Sequence, residues 1–228
     1  MLIAMSLDTL GLPPDERPRV EKIQSDLIAA MRPAGVAERA VVALLADGLS
    51  TSSIDRAKVD AAIAALATAS SAVHDSAIDS LNQLHGVLTP PERSALVDKL
   101  EAQWALWKQA NAGERGHVET TTAEIGLTRD QIDKVRRDFA ATTAASPLRE
   151  GEIEAHLRDF EKAFQADVFD AKTLSGATGV NRHMAEWGAT RLARFCEAVN
   201  PVLTNEQRVR LVGLLREHQA HDEGRGKE

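Results

Sequence analysis

The sequence predicts an all-α protein, on three observations. Alanine is abundant and tyrosine absent, a composition that disfavours the aromatic and β-branched surfaces of a sheet. Apolar residues recur at steps of three and four, and no sustained two-residue alternation runs along the chain. One short pattern also opens three helix-periodic stretches: "LTPPERSALVDKL" from Leu88, "LTRDQIDKVRRDF" from Leu127 and "LTNEQRVRLVGLL" from Leu203.

Taken in chain order, Val20, Ile23, Leu27 and Met31 form the first apolar stripe. Val59, Ile63, Leu66, Val73, Ala77 and Leu84 continue a second one when Ser70 and Ser80 fill the intermediate turns. This predicts one long helix between Asp55 and the "HGVLT" break. Leu96, Leu100, Trp104 and Trp107 mark the next. The second half supplies Ile132, Val135 and Phe139; then Ile153, Leu157, Phe160 and Phe164; then Val180, Met184, Trp187 and Phe195; then Val209, Val212 and Leu215.

The repeated pattern has a physical reason. The first N–H groups of a helix lack partners. A threonine at the cap accepts from one of them, and Glu or Gln three residues later reaches back to the cap's own N–H. Thr89 with Glu92, Thr128 with Gln131, and Thr204 with Gln207 are expected to form such boxes, with the preceding Leu packed on the new helix. Pro90 and Pro91 suit a first turn, where a missing N–H costs little. "LPPDE" has Pro13 where the capping threonine would stand, so its helix is expected to start at Pro14 with a weakened cap.

The spacing of these motifs says more than the motifs do. "LGLPPDE" and "IGLTRDQ" lie 115 residues apart, and so do "VLTPPER" and "VLTNEQR". At that offset Gly11 meets Gly126, Val20 meets Val135, Arg93 meets Arg208, and Leu96, Val97 and Leu100 meet Leu211, Val212 and Leu215. The reading is two copies of one helical unit of about four helices, residues 1–113 and 114–228, joined through the polar "NAGERGHVETTTAE".

Composition narrows the function. The 228 residues carry a net charge of -7, and neither half is basic, so no nucleic-acid footprint is expected. "MLIAMSLDTL" does not read as a signal peptide, and no stretch is expected to reach the roughly 20 apolar residues of a membrane span. No phosphate-binding GxxxxGK[ST] occurs. Cys196, the sole cysteine, reads as a small buried helix residue. Ser, His and Asp are in no order that a nucleophile elbow would mark, so an enzyme is not expected and no cofactor is implied.

The motifs resemble the Spy/CpxP family. "VLTNEQRVRLVGLL" and "VLTPPERSALVDKL" look like that family's final-helix LTxxQ signature, and "IGLTRDQIDKVRRDF" looks like its first. The resemblance implies helical hairpins that pair into a curved cradle, a periplasmic location, and a role as an ATP-independent chaperone, an envelope-stress regulator or a heavy-metal sensor. The chain is more acidic than the chaperones of that family. Two units in one chain further suggest a monomer that forms the family's dimer internally.

Three functions follow as expectations. The first is a stress-response chaperone that binds unfolded clients or an envelope signalling protein; Trp107, Phe164, Phe169 and Leu174 are the candidate contacts, each with core packing as its plainer role. The second is binding of a divalent metal in a metal-resistance response. His183 with Glu186 and His218 with His221 are the candidate ligands, and Glu152/His156 and His74/Asp75/Asp79 are weaker groupings. The third is a regulatory binding module without chaperone activity.

Overall fold

The structure is a computed structural model that describes residues 2–111, 121–144, 147–174 and 176–225. It is all-helical, with no strand among the described residues. The helices are α1 (Leu2–Leu7), α2 (Arg17–Ser50), α3 (Arg56–Ser71), α4 (Val73–Val87), α5 (Pro90–Asn111), α6 (Arg129–Thr143), α7 (Glu150–Gln165), α8 (Ala177–Val199) and α9 (Asn205–Arg225). Short 3₁₀ turns occupy Ala171–Thr173 and Asn200–Val202.

The long helix expected between Asp55 and "HGVLT" is α3 and α4, parted only at Ala72, whose backbone stays in the right-handed helical region. This run, Arg56–Val87, is long and apolar enough to cross a membrane by length and composition, and a third of its most apolar window is buried inside the protein. Asp55 caps it, accepting the Lys58 N–H at 3.2 Å.

Helix α2 starts at Arg17, later than the expected Pro14. The Pro13 carbonyl accepts from both Glu16 N (3.2 Å) and Arg17 N (3.1 Å), so residues 14–16 form a turn ahead of the helix. Without a capping hydroxyl at position 13, a backbone carbonyl serves the first donors. Farther along, α2 contains Pro33.

The chain folds as two compact units, and each draws on both sequence halves. The first comprises Met1–Pro33, Ala69–Lys108 and Arg149–His183; the second comprises Ala34–Thr68, Gln109–Leu148 and Met184–Glu228. Residues 1–113 and 114–228 are therefore stretches of chain, whereas the compact bodies follow another partition. The cuts after Pro33 and Leu148 stand 115 residues apart, as do those after Thr68 and His183.

The first unit packs Leu12, Val20, Ile23 and Leu27 with Leu81 and Leu84 of α4 and Leu96 and Leu100 of α5. Phe160 and Phe164 of α7 and the following Leu174 complete this core. Polar bonds pin that late segment to α4: Asn82 Oδ1 accepts Ala171 N–H at 2.8 Å, and His74 Nε2 lies 3.0 Å from the Ala171 carbonyl.

The second unit packs Val41, Leu45 and Leu49 of α2 with Val59 and Ile63 of α3, Val135 and Phe139 of α6, Phe195 and Val199 of α8, and Leu211 and Leu215 of α9. Each such side chain contributes on the order of 1.5–3 kcal/mol when fully buried. Val209, expected in the α9 stripe, faces outward. Leu211 takes the inward place because it, with Val212 and Leu215, shares the face toward Phe195 and Val199.

Candidate functional site

The most highly organised polar groups lie where loops enter helices. In the second unit, Gly126 has a φ of 71°, a left-handed turn open to glycine at no steric cost, and Thr128 follows as the cap of α6. Thr128 Oγ1 accepts from Gln131 N at 3.3 Å, and Thr128 N donates to Gln131 Oε1 at 2.8 Å. Thr204 and Gln207 repeat this at α9, with bonds of 3.3 and 3.0 Å.

The two glutamines then join the two helix starts. Gln131 Nε2 donates to Gln207 Oε1 (2.9 Å) and Gln207 Nε2 to Gln131 Oε1 (3.1 Å). Each amide also donates across to the other loop: Gln131 to the Val202 carbonyl (2.6 Å) and Gln207 to the Gly126 carbonyl (2.8 Å). The result is a closed amide clamp. An amide serves here because it both donates and accepts, which a carboxylate does not.

The first unit has the same frame with different chemistry. Gly11 has a φ of 69°, matching Gly126. Glu16 and Glu92 stand 115 residues before Gln131 and Gln207. Glu92 Oε2 accepts both the Thr89 N–H (2.8 Å) and the Thr89 hydroxyl (2.6 Å), so this threonine donates its hydroxyl to the box. Loss of water around the carboxyl, and then the neighbouring Glu92 and Asp15, push the Glu16 pKa above its usual value. Sequence reading passed over Glu16, although the alignment of "LPPDE" with "LTRDQ" already set it opposite Gln131.

A second matched pair sits beside each clamp. In the second unit Arg208 donates to the Leu49 carbonyl (2.8 Å), to the Asn200 carbonyl (3.0 Å) and to Asn200 Oδ1. Asn200 Nδ2 in turn donates to the Ser52 carbonyl at 3.2 Å. In the first unit, Arg93 and His85 hold the matching positions, with Arg93 NH1 2.7 Å from His85 Nε2. The same nitrogen lies 2.9 Å from the Ala166 carbonyl. An imidazole nitrogen either donates or accepts, so Arg93 and Ala166 compete for it, whereas the asparagine amide serves both partners at once.

The candidate client contacts divide. Phe164 is fully buried and Leu174 lies in the same core, which removes both from any free surface. Core packing, the plainer role expected for both, is what the structure gives: α7 turns Phe160 and Phe164 inward to stack at 5.0 Å. Phe169 is half-buried and stacks on His85 at 5.1 Å. Trp107 is half-buried and stacks on Trp104 at 5.0 Å. The large apolar side chains that are exposed are others, among them Val168 (86%) and Leu106 (65%).

Of the metal candidates, His183 Nε2 accepts the Arg149 N–H at 3.1 Å and belongs to the first unit, while Glu186 falls in the second. The side chains of His218 and His221 lie outside the described residues. Asp75 and Asp79 are both exposed on α4, near the buried His74. Burial, and then His74, lower the pKa of His156 below its usual 6.5. Among the described residues no group of three or more His, Cys, Asp or Glu comes together in a way that could hold a metal ion. Burial, then Glu197, pushes the Cys196 thiol up to about 12, far from a nucleophile's range.

Residues 4–95 match the family described as heavy-metal resistance. The matched stretch runs from α1 into the first turns of α5 and includes the Gly11 turn, Glu16 and the Thr89–Glu92 box. This heavy-metal resistance likeness is to an all-helical group related to the Spy/CpxP proteins. Neither a curated protein nor a solved structure matches the chain.

Proposed function

We propose that the chain is a non-enzymatic protein of the heavy-metal stress response in the cell envelope, acting by binding unfolded or partner protein. The observation that carries this reading is the match of residues 4–95 to the heavy-metal resistance family. Exposed apolar side chains such as Val168 and Leu106 support it, since they offer contacts that a client's own exposed hydrophobes would desolvate. The buried, proton-retaining Cys196 takes the chain's one thiol out of the candidate nucleophiles.

The chain is further read as a tandem duplication that makes an internal pseudo-dimer. What supports this is the 115-residue spacing shared by motifs, positive-φ glycines and unit boundaries. Light scattering on a size-exclusion column is expected to give one chain as the smallest species, and an inseparable dimer would refute the internal pairing.

The functional test is aggregation of a heat-unfolded client enzyme, followed by light scattering with excess protein. Suppression is expected; unchanged scattering at excess would end the client-binding reading. Calorimetry with zinc, nickel, cobalt and copper separates the alternative, a metal-binding sensor, for which saturable heat at micromolar concentration is the mark.

A further inference from the structure

The side chains of Glu16 and Glu92 meet in the first unit where two amides meet in the second. Glu16 Oε2 is shielded from water and has no hydrogen-bond donor beside it. Glu92 Oε2 is occupied by the N–H and hydroxyl of Thr89. Two ionised carboxylates have no hydrogen to share, so a bond between them needs one proton. Thr89 already occupies Glu92 Oε2, and Glu16 Oε2, with no donor beside it, is the oxygen left to carry that proton.

We propose that the first unit's clamp is a proton-operated latch: one proton shared by Glu16 and Glu92 replaces the amide hydrogens of Gln131 and Gln207, tying the turn before α2 to the start of α5. The second unit's clamp, made of amides, holds at any pH. The latch goes beyond the proposed function, and neither depends on the other.

The charged groups acting on Glu16 are Glu92 from the start of α5, Asp15 from its own turn and Arg19 from the first turn of α2. Glu92 and Asp15 retain the proton and Arg19 opposes it. A carboxyl whose folded pKa exceeds its unfolded value of 4.5 stabilises the fold below that value and loses its contribution as pH rises through the folded pKa. The latch therefore closes in acid and opens toward neutrality.

The whole chain, labelled at its glutamate carboxyl carbons, is titrated by NMR. A Glu16 step above the ordinary carboxyl range is expected; a Glu16 step at or below 4.5 overturns the latch. Hydrogen exchange then reads the consequence. Intrinsic-rate-corrected protection at residues 16, 17, 19 and 20 and at 89, 92 and 93 should fall with rising pH, roughly tenfold per pK unit of elevation, while residues 131–135 and 204–208 hold steady. The double substitution Glu16→Gln and Glu92→Gln should flatten the first profile onto the second. An unchanged slope in that variant also overturns the proposal, and the carboxyl titration of the unsubstituted chain decides the matter if the variant does not fold.

Discussion

Gln131 and Gln207 hydrogen-bond each other through both ends of their amides, at 2.9 and 3.1 Å, while each also brackets its own capping threonine. Two helix starts 76 residues apart are thereby one polar network. Gln207→Ala removes the bond to Thr204 N and leaves the Gly126 carbonyl and the Gln131 amide short of a partner. A loss of about 2–3 kcal/mol is expected in urea unfolding, since Gln207 is buried. Gln131→Ala combined with it should cost less than the sum, with a coupling of roughly 0.5–3 kcal/mol. Additive losses would show that the amide pair contributes nothing as a pair.

The three threonines should not behave alike. Thr128 and Thr204 accept a backbone N–H, so alanine at either position should cost about 1 kcal/mol. Thr89 donates its hydroxyl to the half-buried Glu92, a bond that protects no backbone N–H of the helix start. Thr89→Ala is expected to cost less than either of the others in the same denaturation experiment.

These caps show which part of the molecule the sequence makes legible. A box spans four residues and is complete within one turn, so Thr128 and Gln131 can be read without knowing the fold. The stripes from Ile23 to Leu27 and from Leu96 to Leu100 are equally local, because helical period alone decides the buried face. The pairing of α4 with the segment after α7 is different: His74 and Ala171 are 97 residues apart and no local pattern announces them. Phe164 illustrates the consequence: its stripe with Phe160 marks an inward face, but which helices cover that face depends on α4 and α5 being brought beside it. Glu16 had a visible counterpart, but its meaning depends on Glu92 being brought beside it by folding.

Phe164 and Val168 give opposite expectations four residues apart. Phe164 is fully buried against Phe160, so Phe164→Ala should cost about 3–5 kcal/mol in thermal or urea unfolding. Val168 is 86% exposed, and Val168→Ser should stay within about 0.5 kcal/mol. If Val168 contacts clients, the serine variant loses aggregation suppression while keeping its melting temperature. Equal suppression by both proteins would remove Val168 from the binding surface.

Gly48 tests the end of α2. Ser52 sits at a φ of 58°, and Ser53 N donates back to the Gly48 carbonyl at 2.8 Å, closing the helix with a left-handed turn. A Cβ at Gly48 would lie 3.0 Å from both Cα and Cγ1 of Ile54. Alanine elsewhere in a helix gains roughly 0.5–1 kcal/mol over glycine. Here Gly48→Ala should destabilise instead, because the obstructing Ile54 Cα is backbone. A raised melting temperature would show that the α2–α3 connection yields freely.

His156 should make the first unit lose stability in acid. Burial, and then the nearby His74, favour its neutral ring, so its folded pKa lies below 6.5 while Asp159 opposes the shift. For a depressed pKa the stabilisation is complete above the unfolded value and is lost as pH falls through the folded one. The Glu16 contribution has the opposite sign and overlaps this window, so a single melting curve mixes the two. The difference between the unsubstituted chain and His156→Gln isolates the imidazole. That difference should be constant above about pH 7 and narrow progressively below 6.5, because only the histidine protein must resist uptake of a proton. Parallel curves throughout acid would mean that the ring takes its proton as readily in the folded protein as in the unfolded chain.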